Sequence, residues 1–255
     1  MKVTIFQTDV RWAAPTENVE NVERMFDENR GSDLYVLPEM WATGFATNPR
    51  DIAEGEDSPA LRWMQQTARD YHCALSGSLL IQAADGTYRN RHYFVAPDNV
   101  VYYDKHHLFT YGHEDQFITA GNHHVVVGYQ GVNILLLTCY DLRFPMWSRY
   151  GIAGEYDMIV VAANWPVSRQ QAWRVLTRAR AIENQSYVIA VNRVGTDGHG
   201  IDYDGGSVVI DPIGRTIAEG HKKVEQAISG VLDMVSLRHM RQHFRVLDDR
   251  DQRNV

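Results

Sequence analysis

The chain has 255 residues, of which 44% are hydrophobic and 22% charged. That is enough apolar material for a sizeable core in one large domain. A net charge of −7 and a pI near 5.9 argue against nucleic acid, anionic membrane surfaces and polyanions as partners.

Apolar strand-like runs alternate with helical patterns along the chain. Residues 2–9 read as a strand. From Thr16, TENVENVERMFDENR reads as a helix with Val19, Val22 and Phe26 on one face and Gly31 at its C-terminal cap. LYVLPE at 34–39 is a short buried strand stopped by Pro38, and 59–71 is a helix with Pro59 near its first position. ALSGSLLI and NRHYFVAP are strands joined through the Asp85–Gly86 turn, and VVYYD leads into Lys105. A glycine-bounded loop spans 110–122.

Residues 125–127 and 132–139 form a hairpin, and a short helix lies at 145–151. DMIVVAAN is a strand, 168–185 a long amphipathic helix, and SYVIAVNRV a further strand. Strands follow at 206–211, 215–218 and 225–232, then a helix at 235–243. The expected organisation is one domain over 1–255, with 240–255 a C-terminal tail. Strands outnumber what one doubly wound sheet needs, which favours two packed sheets with helices outside each. No GxGxxG follows the first strand, so no dinucleotide fingerprint is present.

Two cysteines, Cys73 and Cys139, form no disulfide framework, and no CxxC pair or zinc spacing occurs. The start MKVTIFQTDVRW is too short and polar for a signal peptide, and no apolar run approaches the ~18 residues of a membrane span. A cytoplasmic, reducing location is the expectation, with Cys139 a free thiol. Cys139 ends the apolar run LLLT and is followed at once by YDLRFP. Open α/β sheets expose reactive groups at strand ends. A nucleophilic thiol needs a base and an anion stabiliser, and two other strand ends offer them in Glu39 and Lys105. The carboxylate can take the thiol proton, pass it to a leaving amine and then deprotonate water. The ammonium can hold the oxyanion and offset the conflict between thiolate and carboxylate.

LPEMWATGF, YDKHHLF and CYDLRFP, in that order, resemble the three signature blocks of the nitrilase, or carbon–nitrogen hydrolase, superfamily. AANWP at 162–166, ARAIENQSYV at 179–188 and GGSVVIDPIG at 205–214 extend the resemblance over about residues 2–240. YDKHHLF, ANWP and RAIENQ look closest to the omega-amidase branch. That branch cleaves the terminal amide of 2-oxo dicarboxylic acid monoamides such as 2-oxoglutaramate and 2-oxosuccinamate. The resemblance implies a four-layer αββα sandwich of two mixed sheets flanked by helices, a Glu39–Lys105–Cys139 catalytic triad, a thioester intermediate, no cofactor or metal, and a homodimer. It also implies a second glutamate, seven residues before a glycine. Glu114 stands so before Gly121, although Ala120 replaces the usual proline. Glu114 would position Lys105 and the attacking water, and Tyr140 would lend its N–H to the oxyanion.

Such a substrate, a small carboxylated amide, calls for an arginine to receive its carboxylate. Arg143 and Arg169 are the candidates, with Arg143 also expected to pair with Asp141 or Glu155. Phe45, Tyr140 and Trp165 are candidate apolar walls of the substrate pocket. Asn164 would bind substrate or cap a strand end. The same triad would equally serve an N-carbamoyl amino acid hydrolase or a nitrilase, and a thioester could also pass its acyl group to an amine. A non-catalytic binding member of the fold is the distant alternative.

Overall fold

The computed structural model describes residues 1–46, 48–50 and 52–251. The elements in chain order are β1 (Lys2–Gln7), α1 (Pro15–Glu28), β2 (Leu34–Val36), β3 (Glu54–Gly55), α2 (Pro59–Tyr71), β4 (Ala74–Gln82), β5 (Tyr88–Ala96) and β6 (Asn99–Asp104). There follow β7 (Val126–Tyr129), β8 (Val132–Thr138), α3 (Pro145–Ser148), β9 (Met158–Ala163), α4 (Gln170–Glu183), β10 (Tyr187–Asn192), β11 (Val194–Thr196), β12 (Asp202–Asp204), β13 (Val208–Ile210), β14 (Thr216–Glu219), β15 (Gln226–Val231) and α5 (Met234–His243).

Two mixed sheets carry the fold. The first runs β15-β1-β2-β4-β5-β6, with β3 added beside β4, and the second runs β14-β13-β10-β9-β8-β7. Their facing sides interlock through Val3, Ile5, Val36 and Phe94 from one and Ile134, Leu136, Val160 and Ile189 from the other. The outer face of the first sheet packs Phe6, Tyr35 and Leu75 against Val22 and Phe26 of α1 and Met64 of α2. The outer face of the second packs Leu135, Val161 and Val188 against Trp173 and Ala181 of α4. The order is therefore helix, sheet, sheet, helix, as expected. It also explains why ILLL and MIVV are unbroken apolar runs: the two faces of each strand are buried against different layers.

Local chemistry sets the boundaries. α2 starts where Ser58 Oγ accepts from the Leu61 N–H and Pro59 occupies the first turn, and it ends at His72 in the left-handed region. α1 stops before the cap expected at Gly31, because Asn29 Nδ2 closes on the Met25 carbonyl. The run read as one strand over 186–194 is broken at Arg193. The chain turns there into the small β11–β12 hairpin, which the short polar segments VGT and DYD did not announce. Gly195 takes φ of +85°, a left-handed conformation, with the Asp9 carboxylate close over it, and this favours glycine there. The loop at 110–122 contains two 3₁₀ turns, Thr110–Gly112 and Glu114–Gln116. Residues 240–251 are not a free tail: α5 continues to His243, Leu247 is buried, and the Phe244 carbonyl accepts from Gln185 Nε2. The buried Leu247 and the Gln185 bond supply the reason. Among the described residues no helix is long and apolar enough to cross a membrane.

Candidate active site

Four chain segments emerge from strands of both sheets at one place. Glu39 lies three residues beyond β2 and Lys105 directly follows β6, both in the first sheet. Cys139 directly follows β8 and Asn164 directly follows β9, both in the second. Lys105 Nζ donates to Glu39 Oε1 at 2.8 Å and to Glu114 Oε2 at 2.9 Å, and all three side chains are fully excluded from solvent. Glu114 Oε2 also accepts from the Phe109 N–H at 2.6 Å. Glu39 Oε2 accepts from the Asn164 N–H at 2.9 Å, and the Asn164 side-chain amide reaches back to the Glu39 carbonyl. Cys139 Sγ faces the Asn164 carbonyl at 3.8 Å.

β8 ends at Thr138, one residue earlier than the apolar run suggests. Cys139 opens a 3₁₀ turn, Cys139–Arg143, with φ of +45°. A non-glycine residue persists there only when its surroundings hold it. Asp141 is the main holder. Its Oδ2 accepts from the Thr138 N–H and the Tyr103 hydroxyl, and its Oδ1 accepts from the His107 N–H and faces His107 Nδ1. Tyr103 in turn receives the Trp147 indole N–H, and His107 stacks on Phe144 at 3.8 Å. The turn bearing the thiol is thus tied to the segment after β6 that bears Lys105.

Electrostatics follow from burial. Desolvation pushes the Cys139 thiol well above its ordinary pKa, the Glu39 charge adds to this and Lys105 opposes it. The resting group is therefore a thiol. Burial raises Glu114 also, with Lys105 pulling the other way. Desolvation works against the Lys105 charge, but Glu114 and Glu39 more than offset it, so the ammonium is retained. A thiol, two carboxylates and one ammonium in a dry cluster can move a proton between sulfur and carboxylate while stabilising an oxyanion beside them.

Cys139 also lines a cavity of about 280 Å³. Every residue expected at the substrate lines it: Phe45, Tyr140, Arg143, Asn164, Trp165 and Arg169. Glu39, Lys105 and Glu114 stand one layer back. The expected pairing of Arg143 with Asp141 or Glu155 is not made. Asp141 already has its oxygens filled by inward-facing donors, and Arg143 instead lies over the Trp165 ring at 5.2 Å. Arg169 lies over Phe109 and Tyr111 at 5.0 and 5.2 Å, and neither guanidinium forms an ion pair with a described residue. Asn164 does more than cap a strand end, since it anchors Glu39 at two points.

Three contributors escaped sequence reasoning. Asn90 Nδ2 bridges Glu39 Oε1 at 2.8 Å and Glu114 Oε1 at 3.0 Å. Asp141 holds the thiol turn. The β11–β12 hairpin adds Asp197, Ile201 and Tyr203 to the cavity wall. Only Asp141 carried a signal, in its position two residues after the thiol. Among the described residues no group of three or more His, Cys, Asp or Glu is arranged to hold a metal ion.

Comparison with known proteins matches the carbon-nitrogen hydrolase family model over residues 2–242. The chain belongs to the carbon–nitrogen hydrolase family. It is an amide-cleaving enzyme of the nitrilase superfamily. The omega-amidase YafV of Escherichia coli K12 is 39% identical, with 99% of this chain and 97% of that one covered. The 2-oxoglutaramate amidase of Bacillus subtilis is 31% identical, with 98% of each covered. The crystal structure of XC1258 from Xanthomonas campestris, a CN-hydrolase superfamily protein with an arsenic adduct in its active site, superposes with a TM-score of 0.95. It is 34% identical and covers 100% of this chain and 98% of its own.

Proposed function

We propose that this hydrolase is an omega-amidase, cleaving the terminal amide of 2-oxo dicarboxylic acid monoamides such as 2-oxoglutaramate and 2-oxosuccinamate. The observation that carries the reading is the pairing of a buried thiol–carboxylate–ammonium cluster with two guanidiniums that have no acidic partner among the described residues, across one small, largely apolar cavity. A short substrate with an amide at one end and a carboxylate at the other meets both. The names of the Escherichia coli and Bacillus subtilis relatives support the same substrate class.

In this reading Cys139 Sγ attacks the amide carbon as its proton passes to Glu39. Lys105 Nζ and the Tyr140 N–H hold the oxyanion. The carbon–nitrogen bond breaks, Glu39 returns the proton to nitrogen, and ammonia leaves a thioester on Cys139. Water then attacks the thioester carbon, giving its proton to Glu39. The carbon–sulfur bond breaks, Glu39 reprotonates the sulfur, and the 2-oxo acid departs. Glu114 holds Lys105 in place. The residues supply every group these steps use, with no cofactor or metal. The enzyme is a cytosolic homodimer in this reading. Cys73 and Cys139 remain unpaired thiols, and Val175 and Ile182 leave an exposed apolar stripe along α4.

Steady-state assays across 2-oxoglutaramate, 2-oxosuccinamate, N-carbamoyl amino acids and nitriles test the substrate. A preference for either of the last two classes over both oxo-amides refutes the omega-amidase reading. It would instead favour the N-carbamoyl hydrolase or nitrilase alternative, which uses the same Glu39–Lys105–Cys139 centre. Hydroxylamine as a competing acceptor measures acyl transfer, and sedimentation velocity at a monomer mass refutes the dimer.

A further inference from the structure

Asn90 lies within β5 and is fully buried, its side chain held among Ser78, Glu39 and Glu114. Its amide orientation is set by its neighbours. Ser78 Oγ donates to Asn90 Oδ1 at 2.8 Å, and Ser78 Oγ itself accepts from the Met40 N–H at 2.8 Å. Turning the amide over would aim its oxygen at two carboxylates. The two N–H bonds of Nδ2 therefore point at Glu39 Oε1 and Glu114 Oε1.

Donors can be assigned oxygen by oxygen. Glu39 Oε1 receives Lys105 Nζ and Asn90 Nδ2, whereas Oε2 receives the Asn164 N–H alone. Glu114 Oε2 receives Lys105 Nζ and the Phe109 N–H, whereas Oε1 receives Asn90. An ionised carboxylate oxygen has about two acceptor sites. Glu39 Oε1 is thus filled and Oε2 keeps one site open. Cys139 Sγ sits on the carbonyl of Asn164, the same residue whose N–H reaches Oε2, and Oε2 is the oxygen of Glu39 with a site left to accept. Among the described residues three charged or titratable groups face Glu39: Lys105 from the end of β6, Glu114 from its 3₁₀ turn and Cys139 from the turn after β8.

We infer that Asn90 is a positioning residue: by filling Glu39 Oε1 and bridging to Glu114, it makes Glu39 Oε2 the atom that takes the thiol proton and prevents the two carboxyls from sharing one. Two carboxylates around one ammonium would otherwise tend to hold a common proton, as close carboxyl pairs do. The neutral amide separates them without adding charge. The inference rests on the thiol–carboxylate chemistry proposed above, though not on which amide is cleaved.

The test is a pair of pH profiles for the wild type, Asn90→Leu and Ser78→Ala: kcat/KM on the best amide, and the rate of Cys139 alkylation by iodoacetamide. Asn90→Leu is expected to lower kcat at least tenfold with little change in KM. It should also move the low-pH limb of both profiles up by about one pH unit, because a carboxylate that loses a donor holds its proton more readily. Ser78→Ala, which only loosens the amide, should move the same limb in the same direction by less. A folded Asn90→Leu protein whose limb stays put overturns the inference whatever its kcat. If Asn90→Leu does not fold, an unmoved limb in Ser78→Ala overturns it. Alkylation needs no substrate, so a failure of the omega-amidase reading would leave this result standing.

Discussion

Lys105 and Arg169 are cations serving one cavity, built in opposite ways. Lys105 is fully buried between two carboxylates, and both acids have further fixed donors. Arg169 is half-buried at the rim, resting on two rings and paired with no described acid. The first arrangement preorganises charge where charge must develop, in a medium that amplifies it. The second keeps a guanidinium free to receive an anion, at the cost of a looser geometry. In the proposed mechanism the chemistry rests on fixed groups and the recognition on a looser rim.

Substitutions can break or sharpen this contrast. Cys139→Ala should lower kcat/KM by about 10⁴-fold or more, because the remaining groups only polarise the amide. Retained turnover in that protein would refute the thiol mechanism. Lys105→Met should lower kcat by about 10²–10³-fold. It should also cost about 3–5 kcal/mol in urea unfolding, because two buried carboxylates lose their counter-ion. Unchanged stability would show that the cluster readily takes up a proton instead.

The dry interior should also show itself in the pH dependence of stability. His92 is fully buried between the sheets, facing Ser76 and the Leu137 carbonyl, and burial holds it at about 4. The unfolded chain, near 6.5, binds the proton first, so this contribution is complete above about pH 6.5 and is lost as pH falls towards 4. Between pH 7 and 5 the loss should be about 2 kcal/mol, and a His92→Gln protein should lack that slope in urea titrations. The smallest effect is expected at the rim. Arg169→Ala should raise KM about tenfold for a carboxylated amide with little change in kcat. It should leave a neutral amide such as propionamide unaffected, and an equal loss on both would remove Arg169 from carboxylate binding.

Much of this contrast was legible in the sequence, for physical reasons. Glu39, Lys105 and Cys139 each end an apolar strand, and strand ends converge in layered α/β folds. The two sheets and their flanking helices follow from the surplus of strands. Asn90 was hidden because an amide among the charged residues of RNRH gives no sign that the carboxylates of Glu39 and Glu114, distant in sequence, close over it. The β11–β12 hairpin was hidden because its strands are short, polar and set by glycine contacts with Asp9 and Trp12. Arg143 was misread because adjacency to Asp141 in sequence says nothing about whether that carboxylate is already filled.

The site straddles the join between the sheets. In the proposed mechanism the groups that move or position protons before residue 123 (Glu39, Lys105 and Glu114, with Asn90 holding them) rise from the first sheet or the loop after it. The groups proposed to bear the acyl group and to receive the substrate carboxylate (Cys139, and Arg143 or Arg169) rise from the second. Neither half of the polypeptide holds a working centre. A chain cut in the 118–124 connection should be inert as separate fragments. Activity should return only when β15 of the later fragment re-pairs with β1 of the earlier one, so turnover becomes a gauge of whether the two sheets have found their registry.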